Sequence, residues 1–305
     1  MTKKIVDLPA SIHQKLLNLA RLTNRAFNEL LYIYANERFL YRMSQSPHAS
    51  KFILKGAMAI LNLELDHPRY TRDIDLLGYV DNSVPGMEKI IRQICETSVI
   101  DDGLVFDADS ITGELIKTND EYPGVRVRFN ASLGNAKIQN LQVDIGIGDT
   151  VYPQAKKTKY RGLLDLPEAV ICIYQPETIL AEKIHALVQH GLINSRMKDI
   201  YDIWLIASNQ NIKGAVFSKA LRTTFDNRET PFPESLIIFD EDYLTQRRIT
   251  AWRSIESKLR SVETLPELSS IIESLRLFIT PVMNSLYKGV QFSLSWEPEQ
   301  GWEWQ

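Results

Sequence analysis

Asp73-Ile74-Asp75 is the group whose residue types and spacing most directly imply chemistry. Residues 70–80 read as a β-strand, in which side chains two apart share a face, so Ile74 turns inward while both carboxylates project together. Two adjacent acids call for a cation. Oxygen ligands suit Mg²⁺, which is commonly held by one or two carboxylates together with substrate phosphates. Paired metals of this kind serve both the attacking and the leaving oxygen of a displacement. Asp144, in the apolar run Leu-Gln-Val-Asp-Ile-Gly-Ile, is the candidate third carboxylate, because a charge in such a strand is costly unless metal or hydrogen bonds compensate it. Asp-x-Asp pairs are common on surface strands, so this one gains its weight from context. A short apolar strand, a turn at Lys55-Gly56-Ala57 and a helix precede it, and backbone N–H groups at such a helix start can cradle phosphate.

A second cluster combines Lys183, within Ala-Glu-Lys-Ile-His-Ala, with Arg196-Met-Lys-Asp-Ile-Tyr-Asp. Lys183 falls on an apolar helix, where a partly buried amine needs an anion such as a triphosphate. Asp199 and Asp202 are three apart on one helical face, so the first is expected to orient Lys183 and the second to pack or pair with Arg196. The same residues also read as a plain helix start with acids in its first turn, capped by Asn194 or Ser195. A third feature is the run Lys156-Lys157-Thr158-Lys159-Tyr160-Arg161, with four cations and no acid. It reads either as a solvated basic loop or as a local patch for a polyanion.

These residues have to be positioned by the elements around them. Residues 11–42 carry apolar positions at helical spacing, with Ser11 the expected N-cap after Pro9. Residues 84–99 read as a helix capped by Ser83, with Pro85 in its first turn. Strand-like runs follow at 113–117, 126–131 and 138–147, separated by turn residues. From Pro176 the period becomes helical, with segments expected at 177–190, 198–208, 214–224, 241–261 and 265–279. The expected organisation is α+β, with a mixed-sheet domain over residues 1–165 and a helical C-terminal lobe over 166–305 that completes the active site.

Composition narrows the class. The chain of 305 residues is 44% hydrophobic and 24% charged, the balance of a globular protein with a sizeable core. The net charge of −3 means that any polyanion must meet a local patch rather than a general field. Cys95 and Cys172 sit in apolar surroundings with no metal-binding spacing, which fits a reducing cytoplasm. No stretch has the apolar length of a signal peptide or a membrane span, so no membrane association is expected. Three tryptophans in the last ten residues suggest that the acidic C-terminal end docks against something.

Taken in order, Phe52-Ile-Leu-Lys-Gly-Ala-Met-Ala-Ile, Arg69-Tyr-Thr-Arg-Asp-Ile-Asp-Leu, Val143-Asp-Ile-Gly-Ile-Gly-Asp, Ala181-Glu-Lys-Ile-His-Ala-Leu and Arg196-Met-Lys-Asp-Ile-Tyr-Asp-Ile resemble the AbiEii/AbiGii toxin nucleotidyltransferases, including the MenT toxins. The likeness spans almost the whole chain. It implies a DNA polymerase-β-like nucleotidyltransferase fold and the toxin half of a toxin–antitoxin pair, with a cognate antitoxin as partner. By position, Asp73 and Asp75 would bind Mg²⁺, and Asp144, the candidate from its apolar strand, would add the third metal ligand. Lys183 and Asp199 would belong to the essential second motif. Lys55, Gly56 and Ala57, together with Lys183 and Arg196, would contact the nucleotide. Ala57 departs from the family, which usually has Gly or Ser there; it offers no hydroxyl but keeps its backbone N–H. Thr71 occupies a position that is a phosphorylation target in some MenT-like proteins. The activity implied is transfer of nucleotides from an NTP to an RNA 3′ hydroxyl, most plausibly the tRNA acceptor end, which would block translation. Lys156, Lys157, Lys159 and Arg161 would guide the RNA backbone. The rivals are transfer to a protein or small-molecule hydroxyl, and a non-catalytic module that binds RNA or a partner protein.

Overall fold

The computed structural model describes residues 7–66, 69–116, 124–191, 196–259 and 265–304. Its contacts divide the chain into two compact units. One comprises Met1–Asn62, Tyr70–Gly148 and Lys156–Ile173; the other comprises Leu63–Arg69, Asp149–Ala155 and Tyr174–Gln305.

The first unit is a seven-stranded mixed sheet with helices. Helix α1 (Leu8–Leu22) begins earlier than the Ser11 cap expected from the sequence. Asp7 is the cap, accepting from the Ala10 N–H at 3.0 Å, because Pro9 fits the first turn of a helix, where its missing N–H has no partner to lose. Helix α2 (Phe27–Gln45) is buried on nearly every side, and it carries Glu37, Arg38 and Arg42 into the interior. Each of these polar groups has a partner. Arg38 and Arg42 both bind the buried Asp102, at 2.8 and 2.7 Å, and Glu37 accepts the Leu163 N–H at 2.9 Å. Burial works against ionised Asp102, but Arg42 and Arg38 outweigh it and hold the carboxyl below its ordinary range.

Strand β1 (Phe52–Lys55) leads directly into helix α3 (Gly56–Leu61), and β2 (Asp73–Gly78) pairs antiparallel with β1. Helix α4 (Val84–Cys95) starts at Ser83, which accepts from the Gly86 N–H at 3.3 Å, as its sequence implied. Strand β3 (Leu104–Leu115) is longer than the expected run, whose end at Lys117 lies outside the described residues. The Asp and Ser residues that look like a loop form a bulge within the strand. Asp107 accepts from the Asp109 N–H, and the Ser110 hydroxyl donates to the Asp107 carbonyl. Strand β4 (Val125–Leu133) alternates buried and half-buried residues throughout, the signature of a sheet with one core face. Strands β5 (Ala136–Gly146), β6 (Lys156–Tyr160) and β7 (Ala169–Ile173) complete the order β3-β4-β5-β2-β1-β7-β6. The sheet therefore continues past residue 165, because β7 pairs in parallel with β1.

The second unit is mainly helical: α5 (Pro176–His190), α6 (Met197–Asn209), α7 (Gly214–Asn227), α8 (Gln246–Leu259) and α9 (Leu268–Tyr287). Helix α9 runs past its expected end at Ile279 and through Pro281. The stripe Phe278, Ile279, Val282, Met283 and Leu286 stays buried, and that packing outweighs the hydrogen bond that proline cannot make. Strands β8 (Ile212–Lys213), β9 (Ser295–Glu297) and β10 (Gly301–Glu303) form a small sheet. It accounts for two of the three terminal tryptophans. Trp296 and Trp302 pack around Phe278 and donate their indole N–H groups to the Ala207 and Phe278 carbonyls, at 2.7 and 2.9 Å, whereas Trp304 is exposed.

Candidate active site

Strand β2 places Asp73 and Asp75 on the face opposite Ile74, which is fully buried. Asp73 is exposed and Asp75 half-buried. Asp75 is in register with Lys55 on β1 and with Asp144 on β5, and Asp144 is in register with Arg126 on β4. One row across four neighbouring strands thus reads Lys55, Asp75, Asp144, Arg126. Gly56 follows Lys55 with φ at +65°, and a side chain there would run into the Asp75 carboxylate. Glycine is therefore required twice, for its backbone conformation and for the close approach of Asp75. Ala57 is buried in α3.

Asp144 is held from the neighbouring strand β4. Arg126 holds both of its oxygens in a fork, with Nε to Oδ1 at 2.8 Å and Nη2 to Oδ2 at 2.7 Å, and the Gln142 amide donates to Oδ2 at 3.2 Å. Among the described residues, no group of three or more His, Cys, Asp or Glu side chains is gathered closely enough to hold a metal ion. The donor set fits Mg²⁺ through Asp73 and Asp75, since two carboxylates with substrate phosphates are a usual complement for that ion. Asp149, five residues further on, pairs with Arg228 at 2.8 Å. Thr71 is half-buried, and its hydroxyl accepts the Asp73 backbone N–H at 3.3 Å.

In the second unit, Lys183 on α5 meets two carboxylates of α6: Asp199 at 2.8 Å and Asp202 at 2.7 Å. Asp202 is fully buried and is also gripped by Arg69 through two bonds, at 2.7 and 2.6 Å. Arg196 binds Asp199 at 3.1 Å. Asp202, expected to pack or pair with Arg196, has Arg69 as its second cation, while Arg196 lies on the Asp199 side. The caps proposed for α6, Asn194 and Ser195, lie outside the described residues. Among the described residues, Arg69, Lys183 and Arg196 all converge on the carboxylates Asp199 and Asp202. Burial disfavours the Lys183 ammonium, but Asp202 and Asp199 outweigh it and hold its pKa above the ordinary lysine value. Burial likewise opposes ionised Asp199, and Lys183 with Arg196 more than compensates, so its carboxyl is held low. Lys183 is thus a fixed cation, unsuited to proton transfer near neutral pH.

The basic run is an edge strand and no loop. Lys156, Lys157, Thr158, Lys159 and Tyr160 form β6, paired antiparallel with β7. Lysines on an edge strand also keep other chains from pairing with it. Lys157 and Lys159 share one strand face and Lys156 takes the other, while Arg161 follows the strand; all four cations are exposed. The strand order sets β6 four positions from β5, about 19 Å at the usual strand spacing, so it does not adjoin the Asp144 strand.

Two partners escaped the sequence reading. Arg126 could have been found, because Arg-Val-Arg-Phe alternates in phase with a polar sheet face. Arg69 carried no such signal, since its partner lies 133 residues away.

Among the described residues, no helix is long and apolar enough to cross a membrane. No curated protein matches the chain in sequence. Among solved structures, it is similar to MenT4, a nucleotidyltransferase toxin from Mycobacterium tuberculosis H37Rv, at 13% identity and a TM-score of 0.49, covering 92% of this chain and 88% of that one. The model of the AbiEii nucleotidyl transferase toxins of type IV toxin–antitoxin systems matches residues 38–274, well over half of the chain. The chain therefore belongs to the AbiEii nucleotidyltransferase toxin family.

Proposed function

We propose that this toxin transfers nucleotides from an NTP to an RNA 3′ hydroxyl, that of the tRNA acceptor end, and so blocks translation. The observation that carries the reading is the paired carboxylates of β2, which share one face, with Asp75 lying against the glycine that opens α3. Asp73 and Asp75 are the residues that would hold Mg²⁺. Bound there, the ion would neutralise phosphate charge and lower the pKa of a hydroxyl. Lys183 supplies a permanent positive charge to the departing phosphates, and Asp199 fixes the ammonium in place. Arg196, the most exposed cation of that network, and the Lys55-Gly56-Ala57 turn are the further nucleotide contacts. Electrostatics and positioning supply most of the catalysis, as in phosphoryl transfer generally.

For the acceptor, Lys156, Lys157, Lys159 and Arg161 offer a basic edge to a phosphate backbone. An RNA stem is long enough to touch an edge strand some three strands from β2, about 14 Å, while its end lies elsewhere. Thr71 is the regulatory candidate: a phosphate on its hydroxyl would add negative charge two residues from Asp73 and disturb the turn that leads into β2. The cellular setting that fits is the cytoplasm, where tRNA and NTPs are found.

Incubating the purified chain with Mg²⁺, each labelled NTP in turn and total RNA tests the proposal. Label on tRNA is the expected result. Label on protein would favour transfer to a side-chain hydroxyl, and no label on any acceptor would favour a binding module.

A further inference from the structure

Asp73, Asp75 and Asp144 share the sheet face opposite the core, and the row that holds Asp75 and Asp144 has a cation at each end, Lys55 on β1 and Arg126 on β4. Arg126 is the cation on the Asp144 side. It takes both oxygens of Asp144 in the planar, two-bond geometry that only arginine provides, and the pair is mostly shielded, with side-chain exposures of 31% for Arg126 and 18% for Asp144. The guanidinium also feels the charges of Asp73 and Glu114. Glu114 is already bound by Arg128 at 2.7 Å, and Asp144 is the acid that Arg126 grips.

We infer that Arg126 is a positioning residue that reserves Asp144, bonding to both oxygens of the third carboxylate so that a divalent cation gains this ligand only in competition with the guanidinium. The inference rests on Asp73 and Asp75 being the metal ligands. It makes a two-carboxylate site the resting state and makes the third ligand weaker for as long as Arg126 holds it. A simple cross-strand ion pair would act on metal affinity only through the charge of Arg126, which lysine retains.

The test measures Mn²⁺ binding to the full chain without nucleotide, by titration calorimetry or electron paramagnetic resonance. Removing the competitor in Arg126→Gln should tighten Mn²⁺ binding about ten-fold, the scale of a charge-assisted hydrogen bond. Arg126→Lys, which keeps the charge but loses the fork, should give a smaller gain, and it carries the test if the glutamine variant does not fold. The gain should disappear in Arg126→Gln/Asp144→Asn, because no carboxylate is then left to release. Unchanged or weaker Mn²⁺ binding in both Arg126 variants, with binding still lost in Asp75→Asn, would overturn the role of Arg126 alone. Binding that Asp75→Asn leaves untouched would overturn the metal reading itself, and the inference with it.

Discussion

Replacing Lys183 by alanine removes the central cation of a buried network and separates a catalytic role from a structural one. Two charge-assisted bonds are lost, at 2.8 and 2.7 Å, and Asp202 has no exposure through which water could replace them. Breaking a buried ion pair by deleting one partner costs about 3–5 kcal/mol, because the other charge is left uncompensated. Here Asp202 keeps both bonds to Arg69 and Asp199 keeps Arg196, so the loss belongs at the lower end, about 3 kcal/mol. For a protein of this size that corresponds to a fall in Tm of about 5 °C. The Lys183 pKa is held above its ordinary value, so its stabilisation is complete below the unfolded lysine pKa and is lost only as pH rises through the still higher folded one. The fall in Tm should therefore be the same at pH 6 and pH 9. If Lys183 also neutralises phosphate charge, Lys183→Ala should lose several orders of magnitude in nucleotidyl transfer at temperatures where it remains folded, and Lys183→Arg should recover only part. Thermal melts followed by circular dichroism, with transfer assayed well below the lower Tm, measure both effects. An unchanged Tm would refute the buried network, and normal transfer by a folded Lys183→Ala would refute its part in catalysis.

Glu37 makes a prediction about pH. Burial raises its carboxyl to about 8, although the Leu163 N–H and Arg38 favour the charged form. The native state therefore keeps a proton that the unfolded chain has released, so stability should fall as pH rises from about 4.5 to 8, by a ceiling of about 5 kcal/mol. Glu37→Gln should flatten that slope in denaturant melts and be more stable than the parent at pH 8; an unchanged slope would show that Glu37 is ionised in the fold. Asp75→Ala should abolish transfer and toxicity while keeping the circular-dichroism spectrum, and full transfer would remove Asp75 from the site. Asp144→Asn should cripple transfer while Asp149→Asn, whose parent side chain is tied to Arg228, should be mild; the reverse would move the third carboxylate to Asp149. Replacing Lys156, Lys157, Lys159 and Arg161 by Ser should weaken tRNA modification and lower its log–log salt slope by up to about four, with NTP affinity unchanged. Equal tRNA affinity at every salt concentration would show that the β6 edge is only solvated.

What the sequence determined by itself was local. The Asp-x-Asp pair announces itself because a strand has a period of two, so the shared face of Asp73 and Asp75 follows from alternation alone. The helix started by Ser83 and the glycine at the head of α3 are legible for the same reason, since caps and backbone conformations act over three or four residues. Helical periodicity likewise located α5, with Lys183, and α6, with Asp199. What only the tertiary structure decided is which charges meet. Arg69 and Asp202 are joined across 133 residues, and no spacing rule reaches that far. The register of β4 against β5 puts Arg126 on Asp144, and a slip of one residue would have turned its side chain to the other face. The basic run is a strand because β7 offers it a ladder of hydrogen bonds, and it lies at the sheet's edge because β7 takes the place beside β1. Ion pairs, register and strand order depend on pairing between distant segments, and such pairing is settled by burial and backbone hydrogen bonding over the whole fold rather than by the residues of any one segment.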